Sequence, residues 1–332
     1  MSGKKILIAD YKYFGGTELF EKERAAYEKA GYELCFGDCA TREDLISQGA
    51  GMSAILCCGN PPVDREVFEA LPELEVVLRY GIGYNSVDIE QAGRHGVKVL
   101  YMPGFCIEEL ASHSLGLTLA LTRSIALHDR HIRQGVWDAR EGMLPRRLSG
   151  MTIGLCGFGA SARALAKIYK EGFGARVIAF DPYVKDSRGQ CELVGFDELL
   201  VRSDIISIHV PSTPETFHLF DREAFSKMKN SAVIINTSRG PIVDENALVQ
   251  ALKSGRIAGA GLDVYENEPV AADSPLVGMD NVVLTPHSAY YSADSVEIQH
   301  DIASRTVVEA LGGEVPYNTV NKDAFSVKGD KA

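Results

Sequence analysis

Apolar and polar positions along the chain follow two alternating rhythms. Short runs dense in aliphatic residues stand at 5–10, 32–36, 53–58, 75–80 and 98–102, and stretches with helical spacing at 17–30, 41–48 and 64–70 separate the first of them. A continuous apolar run bounded by amphipathic helices belongs in a strand covered on both faces, so the pattern predicts βαβ units and a parallel sheet. The pattern restarts in the second half, with strands expected at 152–157, 176–181, 204–210, 232–237, 258–264 and 281–285 and a closing helix at 293–311. Between the halves, one long helix is expected over 107–134. Its Leu110, Leu115, Leu117, Leu119, Leu121, Ile125 and Leu127 cover most of its circumference, which predicts burial between layers. The polar segment 312–332 is expected to return to the first domain or to fray. The result is an α/β chain of two doubly wound parallel-sheet domains, and 332 residues suffice for both.

Composition narrows the partners. The chain carries 34 Lys and Arg against 45 Asp and Glu, a net charge of −11, with no long basic run. That argues against nucleic-acid binding, and an anionic substrate then needs a local arginine or an amide nest. No apolar run is long enough to span a membrane, and residues 1–10 lack the apolar core and cleavage site of a signal peptide, so the expected location is cytoplasmic. Cys35, Cys39, Cys57, Cys58, Cys106, Cys156 and Cys191 form no CxxC pair and are odd in number. They read as reduced thiols, several of them in apolar strands, and no metal is expected.

The sharpest local signal is Gly157-Phe158-Gly159-Ala160-Ser161-Ala162, which follows an expected strand and opens an expected helix. In a dinucleotide fingerprint the first glycine permits the tight turn and the second lets the backbone approach the pyrophosphate. The small third residue lets helix and strand pack closely. The helix N-terminus offers free amides to phosphates. Asp181 ends the next strand, where a carboxylate accepts hydrogen bonds from the adenosine ribose and repels a 2′-phosphate. The expected cofactor is therefore NAD rather than NADP. Three further segments stand at strand ends, around Arg239, around Glu268 and around His287, where ligands gather in open α/β sheets.

With these residues the chain resembles the D-isomer-specific 2-hydroxyacid dehydrogenase family, on the phosphoglycerate dehydrogenase and C-terminal-binding-protein side. The spacing of Arg239, Glu268 and His287 carries the resemblance, together with RYGIGYNSVDIEQAG (79–93), ELASHSLGLTLALTR (109–123), HVPSTPET (209–216) and SRGPIVDENAL (238–248). The resemblance implies a flavodoxin-like substrate-binding domain from 1–103 and 289–332, a Rossmann NAD-binding domain from 104–288, and a cleft between them. It also implies a homodimer with the 107–134 helix at the contact. The implied activity is hydride transfer between nicotinamide and C2 of a small D-2-hydroxy acid or 2-oxo acid.

Reduction of a 2-oxo acid puts charge on the C2 oxygen, which needs a proton from an acid within hydrogen-bond reach. His287 is that acid in the implied scheme. Glu268 orients it and raises its pKa, so that reduction weakens and oxidation strengthens as pH rises. Arg239 binds the substrate carboxylate and polarises the carbonyl. The resemblance further implies that the amides of Ile82 and Gly83, with charge from Arg79, hold the substrate carboxylate, and that Tyr290 shapes the substrate pocket. It places Asp263 near the nicotinamide carboxamide and makes Ser114, Ala160, Ser161, Val210, Thr237 and Ser238 cofactor contacts.

The sequence departs from the family pattern in places. Ala160 stands where many relatives carry a basic residue, leaving the charge to Arg163 or the pyrophosphate to amides alone, and Asn85 stands where many have aspartate. Tyr290 and Tyr291 follow the histidine, as an aromatic does in the corepressors. His113, His128, His131, His218 and His300 carry no motif and read as helix or surface residues. Two alternatives stay open: an NAD(H)-sensing corepressor-like binding protein, and a phosphoglycerate- or hydroxypyruvate-specific member. The chain's end at Ala332 lowers the expectation of a regulatory extension, and Glu268 argues against a formate-oxidising relative.

Overall fold

The computed structural model describes residues 3–59 and 61–325; the expectation for the tail at 326–332 lies outside them. The chain divides into two compact units, one built from the residues up to Phe105 and from Ser292 onward, the other from Cys106 to Tyr291. The second division falls later than 288/289 for a local reason. The amides of Ser288 and Ala289 bond the Asp263 carboxylate, and Tyr291 N–H bonds the Ser288 carbonyl, so this segment stays with the second unit.

In the first unit, strands β1 (Lys5–Ile8), β2 (Glu33–Phe36), β3 (Ala54–Cys57), β4 (Val76–Arg79) and β5 (Lys98–Leu100) form a parallel sheet in the order β2-β1-β3-β4-β5. This is the flavodoxin-like order. The central strands are apolar throughout because helices cover both faces. Thr41, Asp64 and Asp88 cap the helices that follow β2, β3 and β4, each taking an amide of the first turn. The closing helix Ala293–Leu311 begins with a capping box at Ser292 and Ser295 and packs on Glu21–Lys29. Beyond it the chain returns along β5: Val320 N–H bonds the Val99 carbonyl, and Asn321 bonds both the Val99 amide and the Val97 carbonyl.

The second unit is a seven-stranded parallel sheet, in the order β12-β11-β10-β9-β6-β7-β8. Its strands are β6 (Thr152–Cys156), β7 (Arg176–Phe180), β8 (Glu192–Leu193), β9 (Ile205–Ile208), β10 (Val233–Asn236), β11 (Gly259–Leu262) and β12 (Val282–Leu284). The order reverses between β6 and β9, so the carboxyl ends of those two strands open the switch-point crevice of a doubly wound sheet. Two apolar cores lie on its faces, one around Ile206, Phe220, Phe225 and Leu248, the other around Leu117, Leu155, Leu165 and Tyr169. Burying each such side chain contributes about 1.5–3 kcal/mol. Among the described residues no helix is long and apolar enough to cross a membrane.

The structure corrects the single helix expected over 107–134. It is two helices, Ile107–Thr122 and Ile125–Arg133, broken at Ser124, whose φ is +52°. The break is held by a distant segment: Ser124 Oγ accepts the Met143 amide at 3.1 Å. Nor is the helix apolar all round where it is buried. Ser114, Thr118 and Thr122 lie inward, and the two threonine hydroxyls bond carbonyls one turn back, at 2.9 and 2.8 Å. Ile125 and Ile132 are exposed.

Candidate active site

The fingerprint loop joins β6 to the helix Ala160–Lys167. Gly157 has φ +91°, and a Cβ there would lie 2.7 Å from the His209 carbonyl and 2.9 Å from Val210 Cγ1. Only glycine lets this turn pass the end of β9. Gly159 is the opposite case: nothing lies within 4 Å of its would-be Cβ, and Gly159 and Ala160 face solvent. Open space in front of a helix N-terminus, with Ala162 fully buried behind it, fits a dinucleotide pyrophosphate. The Asp181 carboxylate at the end of β7 accepts the Phe158 amide at 2.9 Å and the Tyr183 and Val184 amides at 2.9 and 3.2 Å. It therefore fixes the loop as well as standing where a ribose hydroxyl would meet it. Arg163 lies over the Phe158 ring at 4.4 Å and donates to Gln190.

His209, which the sequence alone gives no individual role, sits at the switch point. Its Nδ1 meets Ser161 Oγ at 3.2 Å and its Nε2 meets Ser207 Oγ at 2.9 Å. Burial pushes its imidazole down to about 4, so it is neutral at physiological pH. The signal that could have found it is its position, at the carboxyl end of the strand that faces the glycine turn.

The ends of β10, β11 and β12 bring Arg239, Glu268 and His287 into one neighbourhood. Arg239 follows β10, where Asn236 Nδ2 donates to its carbonyl and its own Nη1 donates to the Ser238 carbonyl at 2.6 Å. Ser238 in turn donates to the Ile208 carbonyl, and Thr237 Oγ1 meets Ser114 Oγ at 2.9 Å. A Cβ on Gly240 would fall 1.8 Å from the Tyr265 carbonyl oxygen and 2.5 Å from the Glu266 nitrogen. Backbone thus touches backbone between the arginine loop and the glutamate loop.

Glu268 accepts the Tyr265 amide on Oε1 at 3.0 Å and meets His287 Nδ1 with Oε2 at 2.7 Å. Burial alone would push this carboxyl up. The His287 hydrogen bond, the Tyr265 amide and the nearby charges of His287 and Arg239 outweigh it and hold it below the usual range. An ionised Glu268 accepts the hydrogen bond of His287 Nδ1–H and leaves Nε2 for other chemistry; among the described residues Nε2 makes no hydrogen bond. His287 itself has φ +52°, uncommon for a side-chain-bearing residue, and its amide bonds the Asp263 carbonyl at 2.8 Å.

Asp263 is fully buried. Its Oδ1 accepts Thr285 Oγ1 and the Ser288 amide, and its Oδ2 accepts the Ala289 amide. Three of its bonds therefore hold the loop that bears His287. Tyr290 lies in the same loop, half-buried, its ring edge-on to Tyr291. Arg79, Ile82 and Gly83 belong to the first unit, at the end of β4. There Arg79 Nη1 donates to the Tyr80 carbonyl, and Gly81 takes φ +134° beside the guanidinium.

Residues 115–289 match the NAD-binding domain of the D-isomer specific 2-hydroxyacid dehydrogenases. The chain is 40% identical over 295 residues to a glyoxylate reductase of Thermofilum pendens, covering 87% of each chain. It is 38% identical to a D-3-phosphoglycerate dehydrogenase of Mycobacterium leprae, over 90% of this chain and 57% of that one. A crystal structure of a glyoxylate reductase from Paecilomyes thermophila superposes with a TM-score of 0.86 at 27% identity, covering 97% of this chain and 99% of that one. The chain belongs to the D-isomer-specific 2-hydroxyacid dehydrogenase family, and it is an NAD-dependent oxidoreductase acting at C2 of a 2-hydroxy or 2-oxo acid.

Proposed function

We propose that Arg239, Glu268 and His287 carry this reaction on a small D-2-hydroxy acid and its 2-oxo partner, with glyoxylate the first substrate to try. The observation that carries the reading is the His287–Glu268 pair at 2.7 Å with the charge of Arg239 beside it. The names of the relatives favour a short 2-oxo acid. Bound nicotinamide supplies or accepts the hydride; the chain supplies the rest. Arg239 grips the substrate carboxylate and draws electron density toward the C2 oxygen. His287 Nε2 gives that oxygen its proton in reduction and takes it back in oxidation, while Glu268 holds the ring and stabilises its positive charge. Gly157, Gly159, Ala160 and Ser161 seat the pyrophosphate and Asp181 the ribose. Ser114, Val210, Thr237, Ser238 and Asp263 complete the cofactor side. Arg79 and the amides of Ile82 and Gly83 bind substrate carboxylate, and Tyr290 limits side-chain size. In this reading residues 1–103 and 289–332 serve the substrate, residues 104–288 serve NAD, and the enzyme works in the cytoplasm.

The test is NADH consumption with glyoxylate, hydroxypyruvate, pyruvate and larger 2-oxo acids. His287→Ala and Arg239→Gln should each lower kcat/KM on the best substrate by about 10²–10⁴. Full activity in both variants, with the protein folded, refutes the assignment.

A homodimer through the 107–134 region belongs to the same proposal. Trp137 is 91% exposed and Leu144 87%, with Ile125 and Ile132 also outward, an apolar set that a second copy would cover. Sedimentation should give twice the chain mass, and Trp137→Glu with Leu144→Glu should give the monomer. A wild-type monomer at micromolar concentration refutes this part.

A further inference from the structure

His113 stands on the buried helix Ile107–Thr122 and has no place in the scheme above. Its Nε2 lies 3.0 Å from Thr285 Oγ1 and 3.5 Å from Asp263 Oδ1. Thr285 Oγ1 lies 2.6 Å from Asp263 Oδ1. A hydroxyl has one hydrogen to donate, and Thr285 donates it to the Asp263 carboxylate at 2.6 Å rather than to the Leu262 carbonyl at 3.5 Å. Thr285 Oγ1 is then an acceptor toward His113, so His113 donates from Nε2. The result is a directed chain, His113 to Thr285 to Asp263, which fixes the orientation of the buried carboxylate.

What that carboxylate holds is the His287 loop. It takes the amides of the two residues after His287, and the Asp263 carbonyl takes the amide of His287 itself. A left-handed histidine costs roughly 1 kcal/mol or more and persists only where its surroundings over-determine it. Here three amide bonds to one residue do so. The next residue on the helix, Ser114, bonds Thr237 beside the arginine loop. One rigid helix thus reaches the arginine loop and the histidine loop at adjacent positions.

We propose that His113 and Thr285 are positioning residues for the reaction, holding His287 at its working place through the Asp263 carboxylate. The proposal rests on His287 as the proton-handling group. Neither side chain needs to touch substrate. Displacing a catalytic group by about an ångström costs up to 10²-fold, and partial release of one anchor costs less.

The experiment compares two disruptive variants, Thr285→Val and His113→Leu, with two that keep the hydrogen-bonding groups, Thr285→Ser and His113→Gln. The readouts are kcat on the best 2-oxo acid and the NADH dissociation constant by fluorescence. We expect kcat to fall about tenfold in the first pair, with the NADH constant within twofold, and to recover most of the way in the second pair. Unchanged kcat in the first pair overturns the proposal, as does an equal loss in all four variants, which would make these residues packing alone. A weakened NADH constant with intact kcat also overturns it, because it would assign them to the cofactor. Should Thr285→Val fail to fold, the two His113 variants decide. His287→Ala is run alongside: if it retains turnover, the proton assignment itself has failed. If it abolishes turnover while His113→Leu does nothing, only the positioning role has.

Discussion

The two sheets treat the charged groups at their carboxyl edges in opposite ways. In the second unit each acid is matched within the chain: Asp181 by three amides, Asp263 by two amides and a hydroxyl, Glu268 by an amide and an imidazole. In the first unit, Asp10 follows β1 and accepts the Cys58 amide at 2.6 Å, but among the described residues its other oxygen is buried without a partner. Among the described residues, Arg79 Nε and Ser86 Oγ are likewise buried without a partner, and both residues border Gly59. Burial pushes the Asp10 carboxyl up to about 6, although the Cys58 amide and the Arg79 charge pull the other way. Asp181, Asp263 and Glu268 stand in completed networks, whereas the cluster around Asp10 keeps unpaired buried polar atoms, each such group costing about 1–3 kcal/mol.

The largest way to break this contrast is Gly240→Ala. The added carbon has no room against the Tyr265 carbonyl, so the arginine and glutamate loops must separate. We expect a loss beyond about 4 kcal/mol, seen as an inactive protein with a collapsed thermal midpoint; a stable, active variant would show the contact to be loose.

Next is Asp10→Asn. A carboxyl raised in the folded state binds more protons there than when unfolded, so its contribution to stability falls as pH rises from ~4 toward 6. At pH 7 the penalty is about 3 kcal/mol. The variant should therefore gain on the wild type between pH 4 and pH 7, measured by urea unfolding at both. An equal difference at both pH values would contradict the cost assigned to Asp10.

The smallest effect lies at His209. Its folded value is lowered, so the unfolded chain binds more protons between 4 and ~6.5, and stability is lost as pH falls through that window. Hydrogen exchange resolved by unit, corrected for intrinsic rates, should show acid loosening β6 and β9 in wild type but less in His209→Gln. The same loosening in both would separate the acid response from this imidazole.

Much of the candidate site is legible in the sequence because its signals are local. A strand, a glycine turn, a helix and an acid at the next strand end occur in order around Gly157 and Asp181, and the segments holding Arg239, Glu268 and His287 all end strands. What stayed hidden depends on contacts between distant segments. The break at Ser124 is set by Met143, and of the two outcomes expected for the segment after 312, the return is decided by the free edge of β5 that Val320 and Asn321 meet. Asp10 looks like an ordinary strand-end acid until Cys58 and Arg79 are folded against it. His113 carries no motif, and its bond to Thr285 exists only once the helix lies across β12.

The return of the chain along β5 sets an order on synthesis. Domains generally fold as units while the chain emerges from the ribosome, the earlier one first. Here the contiguous unit is complete at Tyr291, whereas the sheet that begins at Lys5 waits for residues 292–325 to supply a covering helix and an edge partner. The nascent chain thus carries an unfinished first sheet until residues 292–325, made after the whole of the second unit, come to close it.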